Sequence, residues 1–506
     1  MASNRSTGMA LDGHDQEFLP ASPTSEYINS SVLSLSILCV FELEKPIDDS
    51  PAIMLLRERF LPVNSRFSSI LITDEKGTQR WKKVDIRLED HVKVPHFPTG
   101  RFPPSDNYDD YVNEYLSKVA MDRLPENRPL WEIHVIKYPT SCAAGTVVFK
   151  LHHALGDGFS LMGALFSCLK RADDPSLPLT FPAYSRNNNN DKLVKSRSNP
   201  VVVDACKKVG NIAAGFWYTA SDFVGNVLHG TVLEDDRTAI RSGAPHVEFE
   251  PVTISSVVFS LDRLRQIKSK IAGTVNDVTV GIIFYAIQLY HQRMGQVLKG
   301  HERMTALVLL NTRMVNGYQT LDEMLKKKTW GNHFTFLQIS IPTCTNAEKE
   351  SPLSFIAEAK KTINRKRHSL ALYLTGTLVQ TLRSIRGPEA ASRYIHATMK
   401  NTSTGISSVV GPMEKMELGG LPVKSFYFSV VGVPQSLALT MVSYMGKLRL
   451  VATAEKGFIR SELLVSCMKE AYDKVYKEAS QGKSATMKLL HDEEALSVIR
   501  TFSPIT

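Results

Sequence analysis

The sequence predicts a mixed α/β protein built as two similar halves, and three observations carry that expectation. The chain has 506 residues, more than one hydrophobic core usually organises. Strand-like and helix-like patterns alternate in both halves, so each half reads as α/β. Between them, "DDPSLPLTFPAYSRNNNNDKLVKSRSNP" (173–200) is rich in Pro, Asn and Ser, lacks an apolar period, and reads as a mobile surface linker. The expected division is a flexible N-terminus (1–25), a first domain (26–172), a linker with an amphipathic helix (173–250) and a second domain (251–506).

In the first half, 33–44 is β-rich and 52–67 has helical periodicity before its proline. Residues 68–86 read as a hairpin turning at Glu75-Lys76-Gly77. The stretch 109–124 is an amphipathic helix with Asp109 and Asp110 in its first turn, where acids suit the helix dipole. Strands over 129–138 and 145–153 and a helix over 159–172 follow. After the linker, a helix near 201–228 leads to a strand (252–261) and a helix (263–273). A long helix (276–295) comes next, with Asn276 or Asp277 as its cap. Strands over 304–313 and 333–342 precede a helix near 352–367; late strands over 423–431 and 437–454 precede a helix over 461–480. No residue-level repeat joins the halves.

Composition narrows the function classes. With 43% hydrophobic and 22% charged residues the chain is globular and able to bury large cores. A net charge of +9 suits an anionic partner, such as a phosphate-bearing cofactor or an acidic membrane surface. Nucleic acid is not expected, because the basic residues are scattered and the one tight run, Lys326-Lys327-Lys328, has no interleaved aromatics. Six cysteines (Cys39, Cys142, Cys168, Cys206, Cys344, Cys467) stand far apart with no CxxC pair, which argues against a zinc site or a disulfide framework. The polar, acid-containing N-terminus is not a signal peptide. The uncharged window 425–446 is long enough to cross a bilayer, but Pro434-Gln435 divides it into two strand-like runs. The apolar stretches 209–221 and 369–382 are too short to span and read as core helices, with an interfacial position as the alternative.

The chemistry concentrates in "VVFKLHHALGDGFSLMGALF" (147–166), where two histidines, an aspartate and a glycine stand between an apolar strand and a helix. Neighbouring side chains on a strand point to opposite faces, so only one of His152 and His153 can face a given cavity. Asp157 follows one short loop later, and Gly158 permits a positive φ or a close helix approach. A bare HxxxD arises by chance in a chain of this composition, whereas the full HHxxxDG between strand and helix is far more specific. Diverging imidazoles make a poor metal site. A purely structural role stays open, and general-base chemistry is the reading the placement favours.

HHxxxDG resembles the motif of the acyltransferase superfamily with paired chloramphenicol-acetyltransferase-like domains, which includes peptide-synthetase condensation domains. Within it, the chain resembles the plant-type wax ester synthase/diacylglycerol acyltransferases. "PLWEIHVI" (129–136), "VNDV" (275–278), "NTR" (311–313), "WGNHF" (330–334) and "SSVVGP" (407–412) carry the match, in order, over 26–481. The DFGWG of the soluble plant HxxxD acyltransferases is absent. The resemblance implies two such domains with a channel at their interface. It also implies acyl-CoA as co-substrate, a long-chain fatty alcohol or diacylglycerol as acceptor, and no tightly bound cofactor or metal. The implied location is the cytosolic face of the endoplasmic reticulum membrane, with the plasma membrane second. By the same match His153 is the general base, and His152 and Gly158 are counted with it in the catalytic group. Asp157 is an orienting anchor paired with an arginine such as Arg313, and Asn276 a candidate oxyanion donor.

Overall fold

Strand β2 (Ser36–Leu43) and its neighbour β7 (Gly145–His152) are buried at every position. Strands with no exposed face belong to the middle of a covered sheet, and the computed structural model places them there. It describes residues 19–74, 79–98, 108–181, 201–313, 329–367 and 369–481, over 201–214 as backbone only. The expected flexible N-terminus up to residue 18, most of the 173–200 linker, the hairpin turn at Glu75-Lys76-Gly77 and the Lys326-Lys327-Lys328 run lie outside the described residues.

The first sheet has seven strands in the order β5 (Val92–Lys93), β6 (Trp131–Ile136), β7, β2, β14 (Leu421–Val431), β13 (Met416–Leu418) and β8 (Lys170–Arg171). The second has six: β11 (Phe334–Ser340), β10 (Thr305–Asn311), β12 (Thr404–Val409), β15 (Leu437–Tyr444), β16 (Lys447–Glu455) and β9 (Val252–Ser260). A small third sheet joins β1 (Leu19–Pro20), β4 (Gln79–Lys83) and β3 (Ser69–Thr73).

The uncharged window 425–446 resolves into β14 and β15, which belong to different sheets. The second half is therefore not the unbroken unit expected over 251–506, since β13 and β14 complete the first sheet. Phe426 stacks on Phe41 with ring centroids 5.7 Å apart, which anchors β14 against β2. Gly432 then returns the chain to the second sheet with φ +81°; a Cβ there would lie 2.3 Å from the Ser34 carbonyl oxygen.

Helices α3 (Asp109–Met121) and α4 (Gly158–Cys168) contribute buried residues to the first core, and α1 (Pro23–Tyr27) lies against the turn that follows β7. The helix expected over 52–67 exists only as α2 (Ala52–Leu55), followed by a π turn and two 3-10 turns; Pro62, which has no N–H to donate, sits among them. In the second half α7 (Val275–Arg293) is buried at every position from Asp277 to His291 and packs on α6 (Leu261–Ile271), α8 (Pro352–Arg367) and α11 (Ser461–Gln481). Its cap is Thr274, in a reciprocal box with Asp277, and not Asn276.

Two expectations of core helices fail. Helix α5 (Val201–His229) and helix α9 (Ala371–Arg386) lie together on the surface, and Ala371 is the one fully buried residue of α9. Helix α10 (Pro388–Lys400) connects α9 to β12. Among the described residues no single helix is long and apolar enough to cross a membrane.

Candidate active site

Strand β7 ends at His152, and His153 already belongs to a 3-10 turn, His153–Leu155. The two imidazoles therefore part company where the strand stops. His152 Nδ1 accepts the Ala154 N–H at 3.1 Å, so its Nε2 carries the hydrogen and donates to Ser34 Oγ at 3.1 Å. Both nitrogens are spent on local structure. The expectation of His152 as part of the reactive group is corrected to a turn-holding role.

His153 has a different partner. Asn332 Nδ2 donates to the His153 carbonyl at 2.9 Å and to Ser25 Oγ at 3.2 Å, which fixes the amide so that its Oδ1 faces the ring. That oxygen lies 2.9 Å from His153 Nδ1 and can only accept, so Nδ1 bears the hydrogen and Nε2 keeps its lone pair. Asn332 stood inside the quoted "WGNHF" but sequence reasoning gave it no role. The signal that could have singled it out was a polar residue between glycine and an apolar strand; its partner lies 179 positions away.

The turn is held from several sides. The Ala154 carbonyl accepts from Ser25 Oγ at 3.0 Å. The Leu155 carbonyl accepts from Trp330 Nε1 and from Arg66 Nη1, each at 3.0 Å. With the His153 carbonyl taken by Asn332, all three carbonyls of the turn meet side-chain donors, so the imidazole is set on a rigid support.

Asp157 caps α4, accepting the Ser160 N–H at 3.0 Å. Arg313 meets it as a two-pronged clamp, Nη1 to Oδ2 at 2.7 Å and Nη2 to Oδ1 at 3.0 Å, and the His333 N–H adds a bond at 2.8 Å. Arg313 also donates to the carbonyls of Thr329 and Gly331, both at 2.7 Å, and covers Phe159 at 4.9 Å. Asp157 thus ties the two halves together beside His153. Gly158 stands at the first position of α4 without a positive φ, and a Cβ there would meet Val409 at an ordinary 3.6 Å. The backbone freedom expected of it is not used.

His153 lines a cavity of about 50 Å³ between the two sheets. Its walls include Leu35 and Val430 from the first sheet's side and Leu307, Phe334, Ser407 and Leu439 from the second. Asn276 does not line it. It sits exposed in the first turn of α7, so the role of oxyanion donor is withdrawn from it, and among the cavity's few polar residues Ser407 is the hydroxyl on β12.

Burial pushes both imidazoles toward the neutral form. It takes His152 down to about 3 and lowers His153 too, where the Asp157 charge and the Asn332 bond oppose it. His134, buried beside Tyr115, is likewise pushed down to about 4. These groups bind a proton near pH 6.5 when unfolded and only at lower pH when folded. Their stability contribution is therefore complete above pH 6.5 and is lost as pH falls toward about 4 for His134 and about 3 for His152. Urea midpoints followed from neutral pH downward are expected to begin declining below 6.5, and a His134→Phe variant to decline less steeply.

A family model described as the wax ester synthase/diacylglycerol acyltransferase catalytic domain matches residues 50–279, and one described as the WS/DGAT C-terminal domain matches residues 330–475. The chain belongs to the wax ester synthase/diacylglycerol acyltransferase family. Two family members from Arabidopsis thaliana illustrate the distance. Wax ester synthase/diacylglycerol acyltransferase 11 is 29% identical over 459 residues, 87% of this chain and 90% of that protein. Number 4 is 27% identical over 461 residues, 88% and 87% of the two chains.

Among solved structures, the wax ester synthase/diacylglycerol acyltransferase from Marinobacter aquaeolei VT8 matches with a TM-score of 0.56 at 14% identity, over 91% of this chain and 100% of that one. The first condensation domain of the CDA synthetase matches with a TM-score of 0.52 at 11% identity, over 93% and 97%. At such identities the likeness concerns the fold alone, and the fold is the expected pairing of chloramphenicol-acetyltransferase-like domains. The wax ester synthase/diacylglycerol acyltransferase family is one of acyltransferases, and both matched domains contribute to the site: the catalytic-domain region holds His153 and Asp157, the C-terminal region Asn332 and Ser407.

Proposed function

We propose that this protein transfers a fatty acyl group from acyl-CoA to a long-chain fatty alcohol, or to diacylglycerol, with His153 as general base. One observation carries the reading: an imidazole whose Nδ1 is committed to Asn332 lines an otherwise largely apolar cavity between the domains. Family membership supports the reaction class, and a starter condensation domain of rhizomide synthetase with this fold, at a TM-score of 0.50 and 12% identity, was solved with C8-CoA.

The chemistry runs as direct transfer between two bound substrates. His153 Nε2 takes the hydroxyl proton as the alcohol oxygen attacks the thioester carbon. The tetrahedral oxyanion forms beside the wall that Ser407 lines, and its hydroxyl is the donor assigned here in place of Asn276. The C–S bond then breaks, and the imidazolium returns its proton to the CoA thiolate. Asn332 holds the productive tautomer throughout, and Asp157 with Arg313 fixes the turn and touches no substrate. The apolar walls keep water from hydrolysing the thioester. At about 50 Å³ the cavity is far below the roughly 300–1,000 Å³ of ligand pockets, so it must widen to admit a substrate's acyl chain.

The test supplies purified protein with labelled acyl-CoA and, in separate reactions, hexadecanol, diacylglycerol, a short alcohol and an amine. Ester from the lipid acceptors, reduced roughly 10²–10³-fold in Ser407→Ala, is the expected result. Product from the short alcohol or the amine alone overturns the lipid-acceptor reading. Acyl-CoA binding with no product from any acceptor overturns the catalytic one.

A further inference from the structure

The cavity beside His153 holds one polar side chain that the acyl-transfer chemistry leaves unused. Gln435 stands in the turn between β14 and β15, is 7% exposed, and lines the cavity together with His153 and Ser407. Its amide is oriented by Thr402. Thr402 Oγ1 gives its hydrogen to the carbonyl of Thr398 or Met399, at 3.0 and 2.9 Å, so toward Gln435 it can only accept. Gln435 Nε2 is therefore the donor between them, at 2.9 Å. That leaves Oε1 over Gly405, where a Cβ would lie 3.0 Å from it. No donor among the described residues bonds this oxygen. A buried acceptor without a donor is costly, and a ligand that brings the donor recovers that cost.

Position narrows what the ligand is. Gly405 and Ser407 share one face of β12, two residues and about 7 Å apart along the strand. Gly405 lies between Leu307 of β10 and Ala438 of β15. With the reacting carbon at Ser407, a hydroxyl on the carbon next to the reacting one, extended by one hydrogen bond of about 3 Å, covers the distance to Oε1. A simple fatty alcohol and a diacylglycerol each carry a single hydroxyl, which gives its hydrogen to His153, so neither has a donor left. The acyl chain has none. The pantetheine arm of CoA has amide N–H groups, but it leads to a nucleotide that must reach solvent. Leu35 and Met399, which close this end with Gln435, are 2% and 5% exposed. The place suits a group that ends there.

We infer that Gln435 is a specificity-determining residue that selects, as acyl acceptor, a long-chain lipid with two hydroxyls on neighbouring carbons. The inference rests on the His153-dependent transfer proposed above and adds an acceptor class to it. One hydroxyl oxygen forms the new C–O bond while the thioester C–S bond breaks, and its proton passes through His153 to the CoA thiolate. The second hydroxyl does not react. It keeps its hydrogen and donates it to Gln435 Oε1, while Leu307, Leu309 and Phe336 lie along the hydrocarbon.

The full chain is given labelled palmitoyl-CoA with an equimolar mixture of hexadecanol and the hexadecane diol with vicinal hydroxyls, and the ratio of the two esters is read by mass. Competing acceptors share one enzyme, so this ratio does not depend on how much of a variant folds. Gln435→Met keeps the length of the side chain and removes the acceptor oxygen. The ratio of diol ester to wax ester is expected to fall about tenfold from its wild-type value, the worth of one hydrogen bond in a buried site. Gly405→Ala leaves Gln435 in place and sets a methyl group 3.0 Å from Oε1, and it is expected to lower the same ratio. A ratio that Gln435→Met does not move, with ester still formed, overturns this inference alone. Equal loss of both esters in that variant also overturns it, because it gives Oε1 to a pantetheine amide. Wild-type protein that makes ester from neither acceptor overturns the acyl-transfer reading, and the inference falls with it.

Discussion

Replacing His153 with alanine is expected to lower kcat for acyl transfer by about 10²–10⁴-fold, the range of a positioned general base, with acyl-CoA binding retained. The imidazole donates its Nδ1 hydrogen to Asn332 and has one remaining nitrogen with which to take a proton. Because burial lowers its pKa, the neutral ring prevails at neutral pH, and the acid limb of kcat/KM is expected below 6.5. Asn332→Asp separates this mechanism from mere support of the fold. A carboxylate at that position favours the imidazolium, so the acid limb moves to higher pH. Asn332→Leu removes the tautomer control instead and lowers kcat. A pH–rate profile that does not move in Asn332→Asp, or a His153→Ala enzyme with wild-type turnover, refutes the assignment. His152→Ala serves as contrast: its loss weakens the turn through Ala154 and Ser34 and is expected to cost stability before chemistry.

Arg313→Ala is expected to be the most destabilising single change outside the two cores, at about 3–5 kcal/mol, because it strands the Asp157 carboxylate in a buried setting. The Arg313 and Asp157 side chains are 3% and 6% exposed, so solvent cannot replace the lost partner. Both prongs of the guanidinium are used, and lysine offers a single point charge, so Arg313→Lys restores only part of the loss. Chemical denaturation reads the cost, and the loss of activity is expected to track loss of the folded fraction more closely than it does in His153→Ala. An Arg313→Ala protein as stable as wild type contradicts the clamp.

Several features of this molecule were legible before any coordinates. The strand ending at the two histidines, the helix behind Asp157 and the division of 425–446 at Pro434 follow from side-chain period and from the fixed φ of proline, both of which act within a few residues. The pairing of Asp157 with Arg313 was named only alongside the family resemblance, since no local pattern links positions 156 residues apart. Asn276, by contrast, was misassigned, since a polar residue at a helix start is compatible with either a cap or a ligand and only the neighbours decide.

What the tertiary structure alone decided lies in contacts between distant positions. The crossing of β14 into the first sheet rests on Phe41 and Phe426, which no local pattern links. Asn332 fixes the His153 tautomer from the other domain. The apolar runs of α5 and α9 were expected to pack in a core, yet Phe216 and Trp217 of the first and Tyr373 of the second face outward, because hydrophobicity says only that a surface avoids water and not which surface covers it. Local periodicity encodes the elements; which side chains meet is set by how those elements share one interior, and that is a property of the whole chain.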